Sequence, residues 1–421
     1  MPALSDISPS PQPWYNQRRH ALDWLRVLAF ALLIFYHLAM AYVADWGFHI
    51  KSLYLAEWLK LPMLWSNPWR MSLLFFISGA AISYQLHRHH GWKFLTGNGR
   101  KLILPLLFGS AVIVAPQSWI EAKLAGAIGD MGYWEFWRNY VGYSFGFGEP
   151  LSGYRRLEVA NIIWNHLWYL LYLFTYIAIL WLLYPLLMRS RITKFSITLA
   201  ERAPRVMLYL FPLALFFAIN LCLGKHYPIS NAWIGDWFNH ARYLCVFIMG
   251  FALVRSERWW QAFADFRHWS LGMAVCTYIG VVLYDAGCQL KNLAPFLANF
   301  ETPVRSLVWS ADGWLWIMAI IGYAQVWLNR PSALIQSANR AVYCWYILHQ
   351  TLIVIGVYVL RTYEVGPVWE PLLVTLWVVG GCLMGYQLIK TLPVIRELMG
   401  VFPAKTASME SCPRRSPCSH Q

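Results

Sequence analysis

Apolar stretches of about 20 residues, separated by short polar and basic connections, recur along this chain from Trp24 to Leu392. A helix of that length rises far enough to cross the hydrocarbon core of a bilayer. Ten such windows predict helices at about 24–44, 69–87, 102–120, 162–187, 206–224, 237–255, 270–288, 306–328, 341–361 and 370–392. The expected fold is an all-α polytopic membrane protein, a bundle of about ten transmembrane helices with both termini on one side. Its organisation reads as a cytoplasmic N-terminal segment at 1–23, a transmembrane domain at 24–393 and a cytoplasmic C-terminal tail at 394–421. The tail is Ser/Pro/Arg-rich from Ala404 onward, and disorder is expected there.

Composition agrees with lipid as the solvent. Only 13% of residues are charged and 58% are hydrophobic, whereas a soluble domain carries about 25% charged residues. A net charge of +14 would otherwise suggest a nucleic-acid partner. With ten spans, however, 21 Lys and Arg fall on the side of the termini and 12 on the other. The positive-inside rule then accounts for the charge, puts the termini in the cytoplasm and leaves no nucleic acid to invoke. The 25 Trp and 24 Tyr suit interfacial belts in the same way. The eight cysteines form no CxxC and no ligand spacing with histidine, so neither a metal site nor a disulfide framework is expected. Cys222, Cys245, Cys276, Cys344 and Cys382 read as small packed hydrophobes.

The first helix imitates a cleaved leader through its basic start and Ala39-Met40-Ala41. Asp23, Arg26 and His37 interrupt the apolar stretch and favour a retained helix. The longest outer connection, 121–161, is rich in Trp, Tyr and Gly, with Arg155 and Arg156 beyond. Its rings suit either the C–H faces of a sugar or packing on the rim of the bundle. No Walker sequence, Gly-rich phosphate loop or repeat between the halves is present.

Within this apolar frame a few polar positions carry chemistry. Arg26 and His37 are eleven residues apart, about three turns plus 20°, which puts both on one helix face about 16 Å apart along the axis. Ionisable groups at membrane depth face a bundle interior or a wet cavity, so the pair marks a functional site. A neutral imidazole takes a proton from an alcohol near neutral pH, as acyl transfer to a hydroxyl requires. The other reading is an interhelical hydrogen bond that holds the bundle together. Asp23 stands three residues before Arg26, close enough to pair with it and orient it.

His349 is a second histidine within an apolar span, open to the same two readings. Ser78 and Gly79 are small residues that either allow helices to approach or make room for a thin ligand. His166 and Trp168 stand at an outer interface, where they anchor a helix or bind an acceptor. Lys93, Arg100 and Lys101 form a cytoplasmic basic cluster, explained either by topology or by the phosphates of a nucleotide-like donor. Arg70 and Arg242 flank helices, and either is a candidate cation for a dicarboxylic acyl group.

In order and spacing these pieces resemble membrane acyltransferase family 3, whose members O-acylate extracytoplasmic glycans. The matching motifs are Asp-x-x-Arg with Arg-x10-His (Asp23, Arg26, His37), Phe75-Phe76-Ile77-Ser78-Gly79, His166 to Leu170, and Tyr346 to His349. The resemblance runs from about Arg19 to Pro393 and is strongest to the glucan-modifying branch, that of glucans biosynthesis protein C, implicated in succinylating periplasmic glucans. One departure stands out: where the family often has Arg-x-x-Arg before the third helix, this chain has Asn98 and Lys101, with Arg100 adjacent.

The resemblance implies an acyl-CoA co-substrate, no bound cofactor, and a bacterial inner-membrane location in the lipid bilayer. Arg100 and Lys101, with Ser78 and Gly79, would receive the donor. His166 and Trp168 would receive the acceptor glycan, and His37, Arg26 and His349 would carry catalysis. Transfer would be direct or through an acyl-enzyme, with succinyl or acetyl as the group moved. Two other readings stay open at this level: a glycan or lipid-linked-sugar transporter with a proton-coupled His/Arg pathway, and a structural subunit with packed histidines.

Overall fold

One helix carries an unbroken run of buried residues, from Met71 to Ile77. In the computed structural model, which describes residues 18–401 except 90, 145, 147–162, 190–205, 290, 291 and 293–297, this helix is α3, Arg70–Arg88. It follows α1 (His20–Met40) and the short α2 (Lys60–Ser66). Then come α4 (Trp92–Phe108), α5 (Ala115–Leu124), α6 (Tyr133–Ser144), α7 (Trp168–Arg189), α8 (Phe211–Leu223), α9 (Trp237–Leu253) and α10 (Glu257–Asp265). The chain continues through α11 (Arg267–Asp285), α12 (Ala298–Trp327), α13 (Ala333–Arg361), α14 (Trp369–Thr391) and α15 (Pro393–Leu398). Among the described residues there is no β-strand.

Each of the ten segments expected from hydropathy is helical. Among the described residues, six helical stretches are long and apolar enough to cross a membrane, or seven if the α9–α10 pair, bent by 109°, is one span. Those stretches are α1, a continuous Trp92–Leu124 through α4 and α5, Asn165–Leu187, α12, α13 and α14. The difference from ten has a physical cause. α3 carries Arg70, Gln85, His87 and Arg88, yet buries Leu73, Leu74, Phe75, Phe76 and Ile77 among other helices, so its surroundings are protein rather than lipid. α11 begins Arg267-His268, and α8 is only 13 residues long.

Small residues decide how close α3 comes to its partner. A Cβ on Gly79 would overlap the carbonyl oxygen of Phe247 on α9, and one on Gly250 would overlap the carbonyl oxygen of Phe76. The two backbones therefore touch at a reciprocal pair of glycines, the close crossing that helices in lipid use for packing. Around this crossing, Phe75 packs against Tyr169, Tyr176 and Tyr243 with ring centroids 4.7–5.3 Å apart. Offset and edge contacts of this kind add to the burial itself.

At its C-terminal end α1 is closed by Lys51. The Lys51 ammonium donates to the carbonyl of Met40, an acceptor that the helix end leaves open, and to those of Val43 and Trp46 in the turns that follow. Burial holds its pKa below that of an ordinary lysine, against the opposing pull of Glu57 and Asp45.

Other expectations are modified. The aromatic connection after α5 is partly helical: on α6, Trp137 donates to the carbonyl of Ala111 and Tyr140 to those of Ser110 and Ile163. There the rings pack on the bundle; Arg155 and Arg156 lie outside the described residues, as does the tail from 402. The segment assigned to a tail from 394 starts inside α15, which touches α4 through Arg100 and Glu397. Cys344 and Cys382 are buried, whereas Cys222 and Cys276 are exposed on helix surfaces rather than packed.

Candidate functional site

α1 and α13 pack together, and their contact brings two histidines far apart in sequence into one hydrogen bond. His349 is fully buried, and its Nδ1 lies 2.7 Å from the carbonyl oxygen of Tyr346 and 3.2 Å from that of Trp345. A carbonyl only accepts, so Nδ1 carries the proton and Nε2 of His349 keeps its lone pair. His37 Nδ1 stands 2.8 Å from that lone pair and must donate to it. His37 is thereby fixed as the tautomer with a free lone pair on Nε2, an assignment made from the network of partners. The two rings stack at 5.0 Å.

A third histidine completes the cluster. His166 stands on the 3-10 turn Asn165–Leu167 that opens α7, which Asn165 enters with a φ of 41°. Its Nε2 donates to the carbonyl of Ile347 at 3.1 Å, and its ring lies 5.1 Å from His349 and 6.3 Å from His37. Its buried Nδ1 has no partner among the described residues. Tyr346 donates its hydroxyl to the carbonyl of His166, tying α13 to this turn.

Behind the histidines runs a buried amide network. Gln117 donates to Thr351 at 2.6 Å and accepts from Asn165 at 3.0 Å and Gln350 at 3.1 Å. Gln350 also donates to His49 Nε2 at 2.9 Å, while His49 Nδ1 donates to Glu121 at 2.5 Å. Chains of satisfied polar groups in a low-dielectric interior rigidify what they connect. Here they join the segment after α1 to α5, α7 and α13.

His37, His166, Trp168 and Tyr346 open onto a cavity of about 490 Å³, a size that suits a small ligand. Its wall takes the C-terminal ends of α1 and α8 and the N-terminal halves of α3, α9 and α12, so it sits at one end of the bundle. Asn67, which caps the C-terminus of α2 just before α3, accepts from the Tyr36 hydroxyl at 3.2 Å and from Arg70 at 2.9 Å. The Arg70 guanidinium lies 3.3 Å over the Tyr36 ring.

The remaining residues singled out from sequence lie elsewhere. Asp23 pairs with Arg18 at 3.0 Å rather than with Arg26, and Arg26 does not line the cavity. Ser78 exchanges a hydrogen bond with the Tyr169 hydroxyl at 2.7 Å, and Gly79 is taken up by the crossing with α9. Arg100 pairs with Glu397 at 2.5 Å, and the backbone of Lys101 accepts from Tyr343. Sequence reading passed over His49, Gln117, Glu121 and Gln350. Gln117 and Gln350 were detectable as amides within apolar spans; His49 and Glu121 carry no such signal, because their pairing spans 72 residues.

A family model for the acyltransferase domain of acyltransferase family 3 matches residues 19–387, and the chain belongs to that family. No curated protein and no solved structure matches it. The protein is a multi-pass membrane acyltransferase.

Proposed function

We propose that the protein moves an acyl group, succinyl or acetyl, from a cytoplasmic acyl-CoA to a hydroxyl of an extracytoplasmic glycan in a bacterial inner membrane. The observation that carries this reading is the His349–His37 hydrogen bond, which leaves His37 Nε2 with a lone pair beside a cavity. In this reading ten helices cross the bilayer, the shorter ones within the bundle, and the termini are cytoplasmic. The cavity then faces the outer side, where the acceptor arrives. The similarity to the glucan-modifying branch makes a periplasmic glucan the favoured acceptor.

The chemistry follows from the tautomer. His37 Nε2 takes the proton of the glycan hydroxyl as its oxygen attacks the thioester carbonyl carbon. The carbon–sulfur bond breaks, and the departing CoA sulfur recovers the proton from the imidazolium. His349 positions His37 by accepting from Nδ1, the orienting part that a carboxylate plays in hydrolytic triads. Ser78 and His349 are committed to other partners, so the developing oxyanion calls on a donor of the cavity wall. Asn67 is suited to this: its amide oxygen is held by Tyr36 and Arg70, which turns its NH2 group away from them. His166 and Trp168 contact the acceptor, and Arg26, Arg100 and Lys101 guide the donor phosphates from the opposite side.

The test is the ester content of surface and periplasmic glycans in cells making wild-type protein or His37→Ala at matched membrane abundance. Loss of one ester in the variant, named by mass spectrometry, is the expected result. Esters unchanged both in this variant and in a strain lacking the gene would overturn the reading.

A further inference from the structure

The cavity beside His37 has an uneven charge. Arg70, Lys225, Arg242 and Arg305 all line it, and no Asp or Glu does among the described residues. These cations come from four separate places: the start of α3, the loop after α8, the first turns of α9, and the first half of α12. None of them forms an ion pair among the described residues. Arg242 is held by neutral oxygens, the Pro68 carbonyl at 2.7 Å and Ser72 Oγ at 3.4 Å. Arg70 is held by Asn67 and the Tyr36 ring, and its buried Nε has no partner among the described residues. Arg305 lies 5.8 Å from the centroid of the Tyr284 ring, and Lys225 is exposed at the rim.

The acids that neighbour these cations in sequence are otherwise engaged: Asp312 is buried and accepts from Thr277 and Trp316. Asp236 is fully buried and accepts from Tyr172, Asn239 and the backbone of Asn231. Glu301 accepts from Tyr284. Arg70 and Arg242 are half withdrawn from water and lose hydration, and the exposed Arg305 and Lys225 add like charge at the same cavity, so an anion bound among the four would relieve both costs. Topology does not supply a reason for the cluster either, since on the proposed orientation it stands on the side where basic residues are depleted.

We propose that this cavity contains an anion subsite, formed by Arg70, Arg242, Arg305 and Lys225, that selects substrates carrying a carboxylate or phosphate within reach of His37. The charge arrives by one of two routes: as the far end of a dicarboxylic acyl group, or as an acidic substituent of the acceptor glycan. The subsite deepens the acyl-transfer reading and rests on it for the identity of the reaction, but anion binding is measurable without turnover.

Thermal unfolding of the detergent-solubilised full-length protein supplies that measurement, with succinate, glucose 6-phosphate and glucose as probes. At low salt the two anions should raise the unfolding temperature and glucose should not. The rise should shrink as salt screens the charges, vanish in the Arg242→Gln/Arg305→Gln double variant and persist in Arg242→Lys/Arg305→Lys. Equal shifts from glucose and the anions, or a shift retained in the Gln variant, would overturn the subsite.

Turnover in native membranes then separates the two sources. Succinyl-CoA is compared with acetyl-CoA, and a neutral glucose oligomer with its phosphorylated form. The charged member of one pair should be favoured about 10- to 100-fold, the worth of a hydrogen bond to a charged group, and the Gln variant should lose that preference. Turnover that is indifferent to charge in both pairs would sink the subsite while leaving acyl transfer intact. Absence of any acyl transfer would instead count against the function proposed above.

Discussion

His37 donates its Nδ1 proton to Nε2 of His349 across 2.8 Å, although 312 residues separate the two in sequence. The direction of that bond comes from a third group, the Tyr346 carbonyl, which fixes the proton on the other nitrogen of His349. Replacing His349 by Leu leaves the His37 N–H without its acceptor and frees the imidazole to turn. Acyl transfer should fall by about 10²-fold, the scale for a misplaced reacting group. His349→Gln retains an acceptor oxygen and should recover part of the rate. Equal turnover in His349→Leu and wild type at matched abundance would remove His349 from the mechanism.

His37→Gln keeps polarity and size while removing the basic lone pair. Loss of a general base costs about 10²–10⁴ in rate, and protein abundance should stay near wild type. A variant that disappears from the membrane but retains its activity per molecule would point to a packing role alone.

Gly79 and Gly250 occupy the same crossing from opposite sides. Gly79→Ala and Gly250→Ala should each cost about 1–3 kcal/mol through overpacking, read as a lower unfolding temperature in detergent. Because either methyl already forces α3 from α9, the double variant should lose less than the sum of the singles. Additive losses would mean that the two positions do not share one contact.

Gln117 links Asn165, Gln350 and Thr351 behind the histidines. Gln117→Leu removes the buried bonds to Gln350 and Thr351 together with that to Asn165, at a cost of about 1–3 kcal/mol. Activity should drop along with thermal stability, since Asn165 sets the turn that bears His166. Unchanged stability would show that water takes over the vacated bonds.

Arg100 is held by Glu397, a half-exposed acid on α15. If donor phosphates compete with that carboxylate, Glu397→Gln should lower the KM for acyl-CoA and Arg100→Gln should raise it, with kcat little changed. An exposed pair of this kind contributes no more than about 1 kcal/mol to folding, so neither variant should alter the unfolding temperature much. Movement of KM in the same direction for both would remove Arg100 from donor binding.

The sequence by itself determined the solvent and the helices, because a 20-residue apolar run has few ways to satisfy its backbone in lipid other than by coiling on itself. It also marked His37, His166 and His349, since an imidazole within such a run stands out against its neighbours. Tertiary structure alone decided what those groups touch. Asp23 is as close to Arg26 along α1 as a partner needs to be, yet it pairs with Arg18. Ser78 and Gly79 lie in a motif open to two readings, a close helix approach or room for a thin ligand, and only the packing of α7 and α9 gives one to Tyr169 and the other to a helix crossing. The His37 tautomer depends on a carbonyl three hundred residues away, and the cationic cavity assembles from α3, α8, α9 and α12. Local periodicity reports which face of a helix is apolar; which side chains meet there is set by long-range packing, which leaves no periodic trace in the chain.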